Sequence, residues 1–364
     1  MTADQDTPDV RRAWGWLAHL RDGGTVPWQD WSASGPDGGP VLPGAQQLEL
    51  LRRLNETGSV PAALAERVLE ASAPGRGRPD LELVGAAERR PFGPPPVDPS
   101  DLPDDELLRV AAGVLAEDVV AAGLPEPARP RTPRPWRARY RLVGDPVLAG
   151  SRRADLVGRG LPPGRRGSVV YVLATDTAQL TVDAWVARSL SYGAPAWPEF
   201  VAHARRRGAL PPAVDPLRVA EEWARDLGRG RVRVVLDLDT LPRLVRVRRP
   251  LAPAPVLSAD AVELARRVGQ VLGLLAVPPQ RRALLHEVLV PRLVRHPGPP
   301  LVLPDRHLRW ARRQARHVRD GLLAGGYAVH GDPDGLLPVA RPGVPAPSDA
   351  GVLALAMRLL LEKK

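Results

Sequence analysis

Residues 168–174 read Ser-Val-Val-Tyr-Val-Leu-Ala, and a polar turn followed by a helical pattern comes after them. A continuous apolar run of this length predicts a strand buried on both faces, as in a parallel sheet. The flanking sequence alternates in the same way, with strands predicted at 139–143 and 231–236 and helices at 179–191, 196–207 and 216–227. Strands that alternate with helices predict βαβ units, and therefore an α/β fold with a parallel sheet.

The first third of the chain has a different pattern. Apolar residues at helical spacing predict helices at 8–21, 46–54, 62–71 and 104–122, while runs rich in Pro and Gly predict linkers at 74–101 and 124–136. Further helices are predicted at 258–275, 279–295, 304–325 and 348–361. We therefore predict a mainly helical N-terminal domain over 1–123, a linker over 124–136 and a basic α/β domain over 137–364.

The composition excludes several kinds of chemistry. The chain has 51 Lys+Arg, but lysine occurs only at Lys363 and Lys364, and there is no cysteine. Without an internal lysine, a Schiff base, a lysine general base and the lysine of a phosphate-binding loop are not expected. Without cysteine, disulfides and thiolate metal sites are excluded. A genome rich in G and C explains the preference for Arg over Lys.

Targeting signals are not evident in the sequence. The first residues include Asp4, Asp6 and Asp9 and contain no apolar segment, so no secretory signal is predicted. No apolar run is long enough for a membrane span. These observations predict a cytoplasmic protein.

Charge is distributed unevenly along the chain. Residues 1–126 contain 21 acidic residues and 11 arginines, whereas residues 127–364 contain 20 acidic residues and 40 basic ones. Because the two parts are covalently joined, we expect the acidic N-terminal region to dock on the basic part and mask it. Nucleic acid is therefore disfavoured as a partner, and another protein is the more natural one.

Residues 168–338 resemble actinobacterial sulfotransferase-like proteins, which have a P-loop type of α/β fold. The resemblance rests on four stretches: 169–185, with Asp176 and Trp185 at the family's spacing; 195–235; 256–274; and 303–338, which contains Gly-Tyr-Ala-Val-His-Gly-Asp. It implies a parallel sheet of the sulfotransferase type and, for an active member, 3′-phosphoadenylyl sulfate as the donor. It also implies a donor site around the loop that follows the first strand.

Several residues of that implied site depart from the family pattern. Gly144 and Pro146 match the phosphate loop, but Val147 stands where the family has Lys. Thr175 and Asp183 stand where the family has the Arg and Ser that hold the 3′-phosphate. The donor-site candidates, including arginines that could replace the lost cation, are Gly144, Gly150, Ser151, Arg152, Arg153, Thr175, Asp183 and Arg188. A carboxylate at position 183 would repel a phosphate.

Three other motifs have a possible function and also a purely structural explanation. Asp237 and Asp239 form an Asp-x-Asp after the strand at 231–236, the pattern by which some glycosyltransferases hold a divalent cation, but a solvated strand end with a helix N-cap is the favoured interpretation. The helix at 304–325 has a face of arginines, which suggests a solvated surface, a docking site for the acidic region or a polyanion site. The helix pair at 46–71 carries only Arg67 as a base on its second helix, so a DNA-reading role is disfavoured.

Together these observations predict a divergent, non-catalytic sulfotransferase-like protein that acts as a binding or accessory protein and has no cofactor. The first alternative is an active transferase with a nucleotide donor, of the sulfotransferase or Asp-x-Asp glycosyltransferase kind. The second is a protein that binds a polyanion or nucleic acid through the helix at 304–325.

Overall fold

The computed structural model describes residues 8–35, 42–71, 79–86, 93–126, 140–164 and 168–362. Its strands are β1 (Tyr140–Gly144), β2 (Val169–Leu173), β3 (Val232–Val235) and β4 (Ala328–His330). Its helices are α1 (Pro8–Arg21), α2 (Ala45–Thr57), α3 (Ala62–Glu70), α4 (Asp104–Ala122), α5 (Pro146–Gly158), α6 (Thr177–Ser189), α7 (Trp197–Arg207), α8 (Pro216–Leu227), α9 (Leu241–Leu244), α10 (Ala259–Leu275), α11 (Pro278–Leu284), α12 (Val290–Val294), α13 (Leu308–Ala324) and α14 (Asp349–Leu361).

The four strands form one parallel sheet in the order β1-β2-β3-β4. Val170 of β2 pairs with Val232 of β3, and Val235 of β3 pairs with His330 of β4. The predicted α/β fold with a parallel sheet is therefore confirmed. Strand β4 was not predicted, because three residues inside a Gly-rich segment are too short to give a strand pattern.

The two faces of the sheet have separate cores. Alternate residues of the central strands, such as Val172 and Val234, face α6, α7, α8 and α13. The intervening residues, such as Leu142 and Tyr171, face α5 and the segment 238–251. The connection from β1 to β2 therefore lies on one face of the sheet, and the connection from β2 to β3 lies on the other face. Each connection leads to the neighbouring strand in the order β1-β2-β3.

The chain divides into two compact units. The first consists of residues 1–124, 263–292 and 348–364, and the second, which contains the whole sheet, consists of 125–262 and 293–347. The sequence predicts a continuous second domain over 137–364, whereas here two of its segments belong with the N-terminal helices. The reason is hydrophobic packing: α4 contacts α14 along its length, and Leu108, Leu115, Leu355 and Leu359 are all buried.

Aromatic residues organise the start of the first unit. Trp16 and Trp28 pack with their ring centroids 5.4 Å apart, and the Arg12 guanidinium lies 4.0 Å from the centroid of the Trp28 ring. The Trp16 indole N–H donates to the carbonyl of Val26 at 2.8 Å. These tryptophans anchor the segment 24–35 to α1.

The predicted linkers are only partly described. Most of 124–136 lies outside the described residues, as do 74–78 and 87–92 within the run 74–101. The described part of 74–101 is attached to α2, because the Leu81 N–H donates to the Gln46 side chain at 2.8 Å and the Leu81 carbonyl accepts from the Ala45 N–H at 2.8 Å. Leu83 is buried as well. This Pro-rich run is therefore part of the first unit's core along these residues.

Candidate functional site

The candidate site lies at the carboxyl ends of β1 and β2. In open α/β sheets, ligands bind in the crevice at the carboxyl ends of adjacent strands whose connections leave towards opposite faces. β1 continues into α5 on one face, and β2 continues into α6 on the other. Both helices therefore begin at this edge. The first N–H groups of a helix have no partner within the helix, and they give its N-terminus a partial positive charge.

Asp145 fills the N-terminus of α5. Its Oδ1 accepts hydrogen bonds from the N–H groups of Val147 at 2.9 Å and Leu148 at 3.1 Å, and the side chain is fully buried. Pro146 at the first helical position favours this start, since its ring fixes a helical backbone angle and its missing N–H would have no partner there. Asp145 is thus both the helix cap and the anion at the positive end of the helix.

Asp183 of α6 lies in hydrogen-bonding contact with Asp145. Among the described residues, no N–H or O–H group donates to Asp145 Oδ2, although this oxygen is buried. Burial raises the pKa of Asp145, and burial together with the charge and hydrogen bond of Asp145 raises the pKa of Asp183 well above its usual range. The pair is therefore stable when it holds a shared proton.

A third buried aspartate, Asp176, fills the N-terminus of α6. Its Oδ1 accepts from the N–H groups of Ala178 and Gln179, both at 3.1 Å. Its Oδ2 forms an ion pair with Arg341, whose side chain remains partly exposed. The amide of Gln179 donates to Asp183 at 3.0 Å and so connects the two carboxyl sites. The edge is therefore a continuous network of Asp145, Asp183, Gln179, Asp176 and Arg341.

The structure brings only three of the predicted donor-site residues to this edge. Gly144 ends β1, Thr175 follows β2 and Asp183 lies nearly two turns into α6. Gly144 has φ +91°, and a Cβ there would meet the carbonyl oxygen of Leu173. Glycine is therefore needed at position 144 for backbone reasons alone, whether or not a ligand binds.

Three of the other predicted donor-site residues make contacts elsewhere, and Arg153 is exposed on α5. Arg152 donates to the carbonyls of Leu251, at 2.7 Å, and of Ala252. Arg188 donates to the carbonyl of Gly193 at 3.0 Å. The hydroxyl of Ser151 lies 3.5 Å from the carbonyl of Pro253, and Gly150 is inside α5. Arg152 and Arg188 therefore do not supply a cation to the edge.

A sulfate-donor nucleotide does not fit the residues at this edge. The N–H groups of α5 that would hold its phosphates already bond to Asp145, and Asp183 adds a second buried acid. A phosphate would have to displace a carboxylate that is tethered in place by the chain itself. We therefore derive no catalytic step through 3′-phosphoadenylyl sulfate.

The Asp-x-Asp motif forms a turn. The Asp237 carboxylate accepts from the N–H of Asp239 at 3.0 Å and caps a short 3-10 helix, Leu238–Thr240. The motif therefore serves as a helix cap, which is the interpretation that the sequence favoured over a divalent-cation site. Within the stretches that the structure describes, no cluster of three or more His, Asp or Glu side chains has an arrangement suited to a metal ion.

Sequence reasoning missed Asp145 and Arg341. A signal for Asp145 exists, because Asp before Pro at the start of a helical pattern predicts an N-cap. Arg341 has no local signal: it lies 165 positions from Asp176 in a segment rich in Pro and Gly. Only the folded chain brings the two together.

Comparison with protein families, curated proteins and solved structures finds no match for this chain. Over the described residues, no helix has the length and apolar character needed to cross a membrane. The functional argument therefore depends on the site itself.

Proposed function

We propose that this chain is a divergent, non-catalytic member of the sulfotransferase-like group, and that it acts by binding a partner. One observation carries the proposal: the carboxylate of Asp145 occupies the N–H groups at the start of α5 where a donor phosphate would bind. A phosphate-binding site uses such a helix N-terminus with its positive charge free for the ligand. Here that charge is already neutralised by a buried side chain.

Two further contacts support the same proposal. Asp183 adds a carboxyl group next to Asp145, and the only cation described in this network, Arg341, is paired with Asp176. Transfer of a charged group needs preorganised donors or cations directed at the reacting atoms. The groups at this edge are instead directed at one another.

The test is calorimetric titration of the full chain with adenosine 3′,5′-bisphosphate at about 0.15 M salt, where surface charges are screened. We expect no saturable binding. The matched variant combines Asp145→Gly with Asp183→Ser, which frees the N–H groups of α5. Binding by this variant alone supports closure of the site by the two carboxyl groups. Stoichiometric, micromolar binding by the unchanged chain overturns the proposal and favours the transferase alternative.

A further inference from the structure

Seven exposed arginines form one surface on the second unit, which we call the arginine surface. They are Arg205, Arg206 and Arg207 at the end of α7, and Arg309, Arg312, Arg313 and Arg316 on α13. The sequence pattern indicated only the α13 part. The structure adds α7, because the amide of Gln314 on α13 donates to the carbonyl of Gly208 at 2.9 Å.

A second observation agrees that the end of α7 lies near the N-terminal half of α13. His307 immediately precedes α13, and burial together with the charges of Arg306 and Arg205 lowers its pKa. The charge of Arg205 is therefore felt at residue 307, while Gly208, just after α7, is bonded to residue 314.

The arginine surface has little compensating negative charge. Within the described parts of the chain, none of its seven arginines forms an ion pair. Arg319 of α13 is not part of the surface, and it pairs with Asp320 and Asp334 near the other end of the helix. The unit as a whole contains 32 arginines and 17 acidic residues. A field of one sign over such a surface attracts polyanions.

Folding alone explains only part of this surface. Arg205, Arg206 and Arg207 are at the C-terminal end of α7, where positive charge interacts favourably with the helix dipole. Arg309 is in the first turn of α13, where the same dipole disfavours positive charge. A genome rich in G and C favours Arg over Lys but does not determine where in a helix the arginines lie. The helix dipole therefore does not explain the arginines of α13.

Several acids of the N-terminal region have partners of their own. Asp104 pairs with Arg53 at 2.6 Å, Asp118 with Arg67 at 2.7 Å, and Asp105 with Arg267, all within the first unit. The seven arginines of the surface are exposed to solvent. Nucleic acid was disfavoured on the expectation that the acidic region docks on the basic part, and that docking stays a prediction.

The side chains of the surface indicate which polyanion it suits. The apolar residues that lie between the arginines of α13, namely Trp310, Ala311, Ala315 and Val318, are buried, so among the described residues the surface offers no apolar anchor of the kind that protein interfaces need. The described part of the surface also has no exposed aromatic ring for the stacked bases of a single strand. Gln314, which could read a base edge, is bonded to Gly208.

We propose that the arginine surface binds the phosphate backbone of a nucleic acid duplex without regard to sequence. Guanidinium groups match phosphate oxygens in geometry, and duplex interfaces are far more positively charged than protein interfaces. None of the seven arginines belongs to the hydrogen-bond network described at Asp145. The inference therefore goes beyond the proposed function and does not depend on it, since nucleotide titration tests one and duplex binding tests the other.

The experiment measures binding of the full chain to a fluorescent 30-base-pair DNA duplex of mixed sequence by anisotropy, from 50 to 300 mM KCl. The test variant combines Arg309→Gln, Arg313→Gln and Arg316→Gln. The matched control combines Arg243→Gln, Arg248→Gln and Arg249→Gln, which removes the same charge from exposed arginines in the segment that covers the opposite face of the sheet. Thermal unfolding verifies that both variants remain folded.

We expect the logarithm of the affinity to fall linearly with the logarithm of the salt concentration. The test variant should bind about 10-fold or more weakly at 100 mM KCl, and its salt slope should be smaller by about 2.7, which corresponds to three lost phosphate contacts. The control should stay within about 3-fold of the unchanged chain. Replacement of the same three arginines by lysine should keep most of the binding, because the charge is retained.

Three results would overturn the inference. The first is no duplex binding by the unchanged chain at 50 mM KCl. The second is an equal loss in the test and control variants, which would show attraction to net charge alone. The third is binding to vesicles of 30% phosphatidylserine that exceeds duplex binding and depends on the same three arginines, which would assign the surface to an anionic membrane.

Discussion

The carboxyl groups of Asp145 and Asp183 contact each other at the ends of β1 and β2, with both side chains buried. Two buried carboxylates side by side repel each other unless one of them holds a proton. The folded chain therefore retains a proton at this position that the unfolded chain releases. Because of this difference, the free energy of unfolding should depend on pH through this site.

Stability should fall as the pH rises through the raised pKa of Asp183. An unfolded aspartate titrates near about pH 3.9, so the contribution of the shared proton is complete below that pH and is lost above the higher pKa of the folded state. Asp183→Asn can donate a hydrogen bond without a proton from solvent. We expect the variant to have a flatter dependence of unfolding free energy on pH, by up to about 1.4 kcal/mol per pH unit.

Urea unfolding between pH 5 and pH 9, followed by tryptophan fluorescence, measures this difference. Asp239→Asn is the control, because Asp239 is exposed at the end of β3. Its profile should match that of the unchanged chain. Parallel profiles for Asp183→Asn and the unchanged chain would show that no proton is shared.

Two glycines near the site should respond in opposite ways to alanine. Gly144→Ala places a Cβ against the carbonyl of Leu173 and forces a residue with a side chain to φ +91°, so we expect a loss of about 2 kcal/mol or more. Gly150→Ala adds a methyl group inside α5, where no atom lies within 4 Å, and should stabilise the chain by about 0.5–1 kcal/mol. Guanidinium unfolding compares the two, and equal effects would contradict the backbone argument.

Arg341 should stabilise the fold through Asp176. Arg341→Ala leaves a buried carboxylate without its cation, and hydrogen bonds to charged groups contribute about 1.5–3 kcal/mol. Arg341→Lys should recover part of that loss. Arg218→Ala breaks an exposed pair with Glu222 and should cost no more than about 0.5 kcal/mol. If both alanine variants have the same small effect, Arg341 is no more than a surface residue.

The N-terminal third should not fold alone. Leu108 and Leu115 of α4 are fully buried, and α4 packs against α14, which belongs to the same unit. A fragment of residues 1–126 exposes that apolar face, so we expect no cooperative thermal transition by circular dichroism and binding of a hydrophobic dye. A fragment that unfolds cooperatively, with a stability close to that of the full chain, would contradict this division of the chain.

The sequence predicts local structure here far better than long-range contacts. Asp215, Pro216 and Gly228 mark both ends of α8, and the predicted and observed bounds are identical. β2 is found within one residue, because its apolar run is continuous. β4 is missed because it has three residues. Partners such as Arg341 and Asp176 are beyond sequence reasoning, because nothing in the local pattern around either one indicates the other.

The packing of α4 against α14 also determines when the first unit can be completed during synthesis. Residues 104–122 leave the ribosome more than 200 positions before the helix that covers them. At about 5–20 residues per second, their apolar face remains uncovered for about 10–50 seconds. A chaperone that shields apolar helices would have its main opportunity in that interval, and a chain truncated before residue 349 would never leave that exposed state.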